Sequence, residues 1–211
     1  METPHLFSEI EIDFKELFEI LLFSLITAFV LSFNDWGYDT FDLRIGLLNL
    51  SKAFAIVFLS TSFVLLLLKY FGLKYGANVK FEMNWIATAI SFSLAFVIYA
   101  IIPFPAIFNF KFEDDEKTRY GHNRMMVKFS YMQNIALMFF YFMFIILIAL
   151  TFLFKIPYAF KYFISLFFLI LPIPNTPGFY VLLGGKDSVD KAIKNYFILL
   201  LIFVILYFVF R

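Results

Sequence analysis

Long apolar runs separated by short polar stretches dominate the pattern along the chain. A bilayer core about 30 Å thick needs roughly 20 residues of α-helix to cross it, so each run near that length is predicted to be a transmembrane helix. The pattern predicts about six spans, with approximate bounds 17–33, 45–68, 86–102, 131–154, 158–171 and 192–210. Residues 17–211 would then form a single transmembrane domain.

An acidic segment, residues 1–16, precedes the first predicted span. Around it a single lysine, Lys15, is outnumbered by the acidic residues Glu2, Glu9, Glu11, Asp13, Glu16 and Glu19. Because a basic region is missing, the segment is not predicted to be a secretory signal peptide. Apolar and acidic residues alternate between Ile10 and Phe18. Two interpretations stay open, a segment lying on the membrane surface or a solvated tail.

The connection between the second and third spans carries its own pattern. Alternation from Val79 to Met83 predicts a short strand, and Trp85 is placed where an interfacial anchor belongs. In the third span Ala87, Ser91 and Ala95 recur every four residues, so this face is predicted to pack closely against a neighbouring helix.

Prolines interrupt the apolar pattern twice. Pro103-Phe104-Pro105 ends the third span, and the apolar stretch Ala106 to Phe112 is too short to cross. A polar segment follows, from Glu113 through Lys128. The fifth span runs into the proline-rich segment 172–178, where irregular backbone is expected at or near membrane depth. Lys52, near the start of the second span, is expected to extend to the interface.

Composition agrees with a membrane protein and excludes several functions. The chain is 63% hydrophobic and 23% aromatic, whereas a soluble domain is nearer half apolar. A net charge of +1 offers no electrostatic footprint for nucleic acid. No cysteine is present, which removes disulfides, thiolate catalysis and cysteine metal sites. Lysines and arginines occur in both sets of alternating loops, so the positive-inside rule does not predict how the chain is oriented in the membrane.

The residue types needed for catalysis are scarce. Only two histidines occur, His5 and His122, and neither lies in a hydrophobic span, so no helical zinc pair exists. His122 follows the acidic run 113–116, but a solvated loop is the favoured reading there. The hydroxyls of residues 60–62 lack a histidine to activate them and are expected to bond to their own helix. Lys186 follows two glycines without the spacing of a phosphate loop. Ionisable residues are almost absent from the spans.

Three stretches, in order, resemble segments of the prokaryotic site-2 proteases, which are intramembrane zinc metalloproteases. They are Leu73-Lys74-Tyr75-Gly76-Ala77 with Lys80-Phe81-Glu82-Met83, then Pro103-Phe104-Pro105-Ala106, and then Leu171-Pro172-Ile173-Pro174 followed by Gly178. The resemblance covers about residues 43–186. It implies a site-2-protease-like core with a short β segment and a broken helix.

The resemblance also implies that the family's chemistry has been lost. The His-Glu-x-x-His motif falls on residues 64–68, with ligand positions at Val64 and Leu68 and the general base at Leu65. The aspartate of the Leu-Asp-Gly motif falls on Pro177. None of these side chains can bind zinc or transfer a proton. Asn134 lies about where the family keeps an asparagine, and a helix-capping or interhelical role is expected for it.

The prediction is therefore an all-α, multi-pass protein of the cell membrane with a site-2-protease-like core and no protease activity. No catalytic, cofactor-binding or metal-binding residue is predicted. The expected partners are the lipid bilayer and a transmembrane helix or extended peptide of another membrane protein, edge-on to the strand at 79–83, with no nucleic acid. The alternatives are a subunit of a transport complex, an enzyme using a metal site in the loop 113–122, and an accidental resemblance.

Overall fold

The computed structural model describes residues 12–37, 41–74, 77–101, 103–114 and 124–169. This part of the chain is mostly helical and includes a two-stranded sheet. Its elements are α1 (Phe14–Ser32), α2 (Leu43–Lys74), β1 (Ala77–Met83), α3 (Trp85–Val97), β2 (Phe108–Asp114), α4 (Arg124–Phe152) and α5 (Pro157–Leu169).

Two helices in the described ranges are long and apolar enough to cross a membrane. They lie within α2, over Leu43–Leu73, and within α4, over Asn134–Phe152. Helix α1 has 19 residues but carries three charges near its start, and α3 and α5 have 13 residues each. The expectation of about six transmembrane helices is therefore not supported, and the predicted span 192–210 lies outside the described residues.

Phenylalanines hold the sheet against the helices. The ring of Phe23 on α1 makes edge contacts with Phe81 and Phe108, at centroid distances of 5.4 and 5.2 Å. Phe108 also stacks on Phe81 at 4.8 Å and meets Phe139 of α4 at 5.0 Å. All four side chains are buried. Offset and edge contacts of this kind add to the free energy gained by burying the rings, so the aromatic core fixes the hairpin between α1 and α4.

The predicted strand is confirmed, and it has a partner that the sequence analysis did not predict. β1 pairs with β2 in antiparallel register, from Ala77 opposite Asp114 to Met83 opposite Phe108. The signal for β2 was present in the sequence, because phenylalanine alternates with polar residues at 108, 110 and 112. The stretch Ala106 to Phe112, predicted to be too short to cross, therefore contains most of β2.

The third predicted span is wrong as a continuous helix over 86–102. Helix α3 ends at Val97, and Tyr99 and Ala100 then adopt left-handed φ values of 50° and 45°. The chain turns back through residues 103–107, which are neither helix nor strand. We call these residues the return segment. The turn precedes Pro103, so the prolines do not themselves end the helix.

Hydroxyl groups supply the hydrogen bonds that the return segment cannot make with itself. Ser91 donates to the carbonyl oxygen of Pro105 at 2.6 Å, and the hydroxyl of Thr88 lies 3.0 Å from both the N and O atoms of Ile107. Thr27 of α1 accepts from the N–H of Ala106 at 3.1 Å. The predicted small-residue face of α3 is buried at Ser91 and Ala95, and at Ser91 its partner is this irregular backbone.

The two ends of α1 mark two ends of the molecule. The first turn of α1 lies beside the sheet, and we call this the hairpin end. The amide of Asn34, just after α1, donates to the carbonyl oxygen of Tyr99 at 2.8 Å, so α1 and α3 finish together. We call this the cavity end. The 19 residues of α1 separate the two ends by about 28 Å at 1.5 Å per residue.

Candidate functional site

The positions that the resemblance assigns to catalysis lie in the hydrophobic core. Val64, Leu65 and Leu68 are buried side chains of one apolar cluster. Val64 and Leu68 lie one turn apart on α2, so both face the same neighbours. Pro177, the fourth assigned position, lies outside the described residues. Within the described ranges, no group of three or more His, Cys, Asp or Glu side chains is arranged to hold a metal ion.

The hydroxyls one turn before this apolar patch are part of the packing. Ser60 donates to the carbonyl oxygen of Ile56 at 2.6 Å, as predicted for a hydroxyl within a helix. Thr61 departs from that prediction, because its hydroxyl bonds to the hydroxyl of Tyr162 on α5 at 2.9 Å. Both Thr61 and Tyr162 are buried. This bond joins α2 to α5 and satisfies two polar groups that would otherwise be buried alone.

A buried charged cluster occupies the hairpin end. The carboxylate of Glu16 accepts from the N–H of Phe81 at 2.7 Å, and that of Glu19 accepts from the N–H of Met83 at 2.8 Å. The ammonium of Lys69 lies 2.8 Å from the second oxygen of Glu16. Glu16 is 4%, Glu19 3% and Lys69 1% exposed. The spacing of three residues places both carboxylates on one face of α1, opposite the strand.

The sequence analysis did not predict this cluster. Glu16 and Lys69 lie just outside the predicted spans 17–33 and 45–68, and Glu19 lies inside the first of them. The side chain of Glu16, in the acidic stretch whose placement was left open, is buried. The cluster also binds the N–H groups of Phe81 and Met83, so at these two residues an added peptide strand would find no free donor.

A cavity of about 1060 Å³ opens at the other end of the bundle. Residues from the end of α1, the first half of α2 and the turn between α4 and α5 form its walls. Among the described residues of its lining, Asp35 is the only carboxylate. That carboxylate accepts from the Lys161 ammonium at 2.6 Å and from the Tyr158 hydroxyl at 2.8 Å, and Lys161 also lies over the Tyr158 ring.

Two more lysines line the cavity. Lys52 comes from α2 and Lys155 from the turn between α4 and α5, and both are exposed. Neither makes an ion pair or a side-chain hydrogen bond with any residue in the described ranges. Lys155 has a φ of 52°, in the left-handed region that side chains usually avoid. The cavity therefore holds two cations beyond the one that Asp35 neutralises.

Of the other residues singled out from the sequence, four lie outside the described residues, namely His5, His122, Pro177 and Lys186. Asn134 is exposed and lies inside α4, so it does not cap that helix. Sequence reasoning missed Asp35, Tyr158 and Lys161, which lie near predicted span ends where polar residues are ordinary.

The fold defines a mostly helical chain with a short hairpin and two helices fit to cross a membrane. Comparisons of the chain with protein-family models, with curated proteins and with solved structures found no match in any of the three.

Proposed function

We propose that this chain is a multi-pass protein of the cell membrane with a site-2-protease-like core, that it is not a protease, and that it binds or regulates another membrane protein. The observation that carries the proposal is the burial of Val64, Leu65 and Leu68 in the hydrophobic core of the protein. In the family that the sequence resembles, these positions would carry two zinc ligands and the general base. Side chains without nitrogen, oxygen or sulfur can neither coordinate zinc nor move a proton.

The order of elements also supports the proposal. Helix α2, which carries the three positions, passes almost directly into β1, and the segment Pro103 to Ala106 is irregular backbone packed on α1 and α3. Both features fall on stretches of the resemblance. A core that keeps this architecture without the metal chemistry retains binding as its remaining role.

Cysteine cross-linking tests the site-2-protease-like core, since the natural chain has no cysteine. The variants pair Pro177→Cys with Val64→Cys or Leu68→Cys, in membranes, with a short bifunctional thiol reagent. We expect cross-links in both pairs, because the metal positions of such a core converge. Leu66→Cys with Pro177→Cys is the matched control, since Leu66 is on the same helix but 41% exposed. Equal cross-linking in the control pair, or none in the test pairs, would overturn the assignment.

The binding role needs a separate test. Cross-linking in membranes followed by purification in several mild detergents is expected to recover one specific membrane protein in near-stoichiometric amount. Recovery of no specific partner under all of these conditions would contradict the binding role and leave the core assignment untouched.

A further inference from the structure

We propose that the cavity at the cavity end binds the phosphate headgroup of an anionic membrane lipid. The inference goes beyond the proposed function and rests on only one part of it, the placement of the chain in a membrane. It starts from the charges that line the cavity. Among the described residues of the lining, three lysines, Lys52, Lys155 and Lys161, outnumber one carboxylate, Asp35.

The four charges are not equivalent. Asp35 holds Lys161 at 2.6 Å and is also bonded by Tyr158, so these groups form a closed set. Lys52 and Lys155 have no ionic partner in the part of the chain that the structure describes. They approach the cavity from different elements, α2 and the turn before α5. A phosphodiester seated between them would neutralise one of the two charges and accept hydrogen bonds from both ammonium groups.

The first turn of α5 adds to the same field. Ile156, Pro157 and Tyr158 line the cavity, and α5 begins at Pro157. A helix carries roughly half a positive charge at its N-terminus, where the first N–H groups lack partners within the helix. Because α5 starts against the cavity wall, this partial charge reinforces the two lysines and does not act as a site by itself.

The remaining walls favour a lipid over a free anion. Between the cations the lining is apolar, with Ile45, Ile56 and Ile156 among its residues. A site that strips a small inorganic anion of water usually surrounds it with donors, whereas a charged headgroup joined to glycerol and acyl chains needs cations beside hydrocarbon. The occupant that matches both surfaces is an amphiphile with an anionic head.

Membrane placement of the chain would put the cavity at the level of the headgroups. Helix α1 ends at Ser32 and α4 at Phe152, and the loop backbone after each lies at the cavity end. Irregular backbone that faces lipid is not tolerated in the hydrocarbon core, so ends of helices with loops between them are expected at the membrane surface. Trp36 directly follows Asp35 at the cavity end, and tryptophan is enriched at membrane interfaces. Lysines at this depth contribute to the attraction of anionic lipids.

The test uses the full chain purified in a neutral detergent, titrated with short-chain phosphatidylglycerol and, separately, with phosphatidylcholine. We expect preferential binding of phosphatidylglycerol. Lys52→Gln and Lys155→Gln should each weaken that binding about fivefold, and the double variant about thirtyfold. Arg44→Gln is the matched control, because Arg44 is an exposed cation on the same end of α2 that does not line the cavity. The double Lys→Arg variant should bind like the natural chain.

Three results would overturn the proposal. One is unchanged phosphatidylglycerol binding in the double Lys→Gln variant. Another is an equal loss in Arg44→Gln, which would indicate general surface charge. The third is complete displacement of the lipid by inorganic phosphate at the same concentration, which would assign the site to a free anion. Resistance of the natural chain to alkaline extraction from membranes tests the membrane placement independently, so its failure is distinguishable from failure of the lipid site.

Discussion

The two ends of α1 present the same types of residue in opposite arrangements. At the hairpin end, Glu16 and Lys69 are buried and paired, and the strand supplies further donors. At the cavity end, Asp35 and Lys161 are paired but half-exposed, and Lys52 and Lys155 have no described partner. Buried charges that are paired hold elements together, whereas exposed cations around a cavity are free to meet a ligand. The difference separates a structural role from a binding role.

The largest effect is expected from Lys69→Met. Removing the ammonium leaves the Glu16 carboxylate buried without its countercharge, which should cost about 3–5 kcal/mol. The measurement is the thermal unfolding of the purified protein in one detergent, followed by tryptophan fluorescence. Lys15→Met is the control, since Lys15 is exposed and 3.7 Å from Glu19. If both variants unfold alike, the hairpin-end cluster does not hold the structure together.

A smaller loss is expected from Thr88→Val, which keeps the shape of the side chain. It removes the hydroxyl that serves both the N and O atoms of Ile107 and should cost about 1–3 kcal/mol in the same assay. Ser93→Ala on the same helix is the matched control. Ser93 is exposed and bonds only to the carbonyl oxygen of Ala89, so a change within about 0.5 kcal/mol is expected. Unchanged thermal stability of the Thr88→Val variant would show that the return segment does not depend on its side-chain partners.

Asp35→Asn should separate the two roles at the cavity end. Lys161 is 37% exposed on its side chain, so losing this pair should cost only about 1 kcal/mol or less. The same change removes the one carboxylate among the described lining residues and should raise affinity for phosphatidylglycerol about fivefold. Lower affinity for the anionic lipid in this variant would contradict an electrostatic site.

The smallest stability effect is expected from Lys155→Gly, and it is stabilising. A φ of 52° strains a side-chain-bearing residue, so glycine should gain about 0.5–1 kcal/mol after its own entropic cost. Lipid affinity should fall nonetheless, because a cation is lost. Lys155→Ala, which keeps the strain, should lose affinity equally without the gain in stability. A glycine variant that binds as tightly as the natural chain would remove Lys155 from the site.

Sequence patterns predicted local structure better than tertiary contacts. The apolar runs placed α1, α2 and α4 to within a few residues at several of their ends, and alternation identified the strand at 79–83. The third span failed because its apolar residues continue past Val97 while the backbone turns back. A hydropathy pattern does not predict that turn. The turn depends on the hydroxyls of residues 27, 88 and 91, which bond to backbone far away in the sequence.

The charged residues show the same limit at the level of the site. Glu16 and Glu19 were visible as acidic residues, but their role depends on two N–H groups more than sixty positions away. Lys52 was expected to extend to the membrane interface, which stays a prediction. Its shared cavity with Lys155 follows only from the packing of α2 against the α4–α5 turn. The resemblance to site-2 proteases could not predict the buried carboxylates at the hairpin end or the lysines at the cavity, because it rests on other residues.

The return segment has a consequence for the order in which the chain can fold. The N–H of Ala106 finds its partner in Thr27, a residue of α1 that is synthesised long before it. Until α1 is in place, this N–H lacks its acceptor, and a backbone group that is buried without a partner costs about 1–3 kcal/mol. We therefore expect α3 and the return segment to reach their final packing only together with α1.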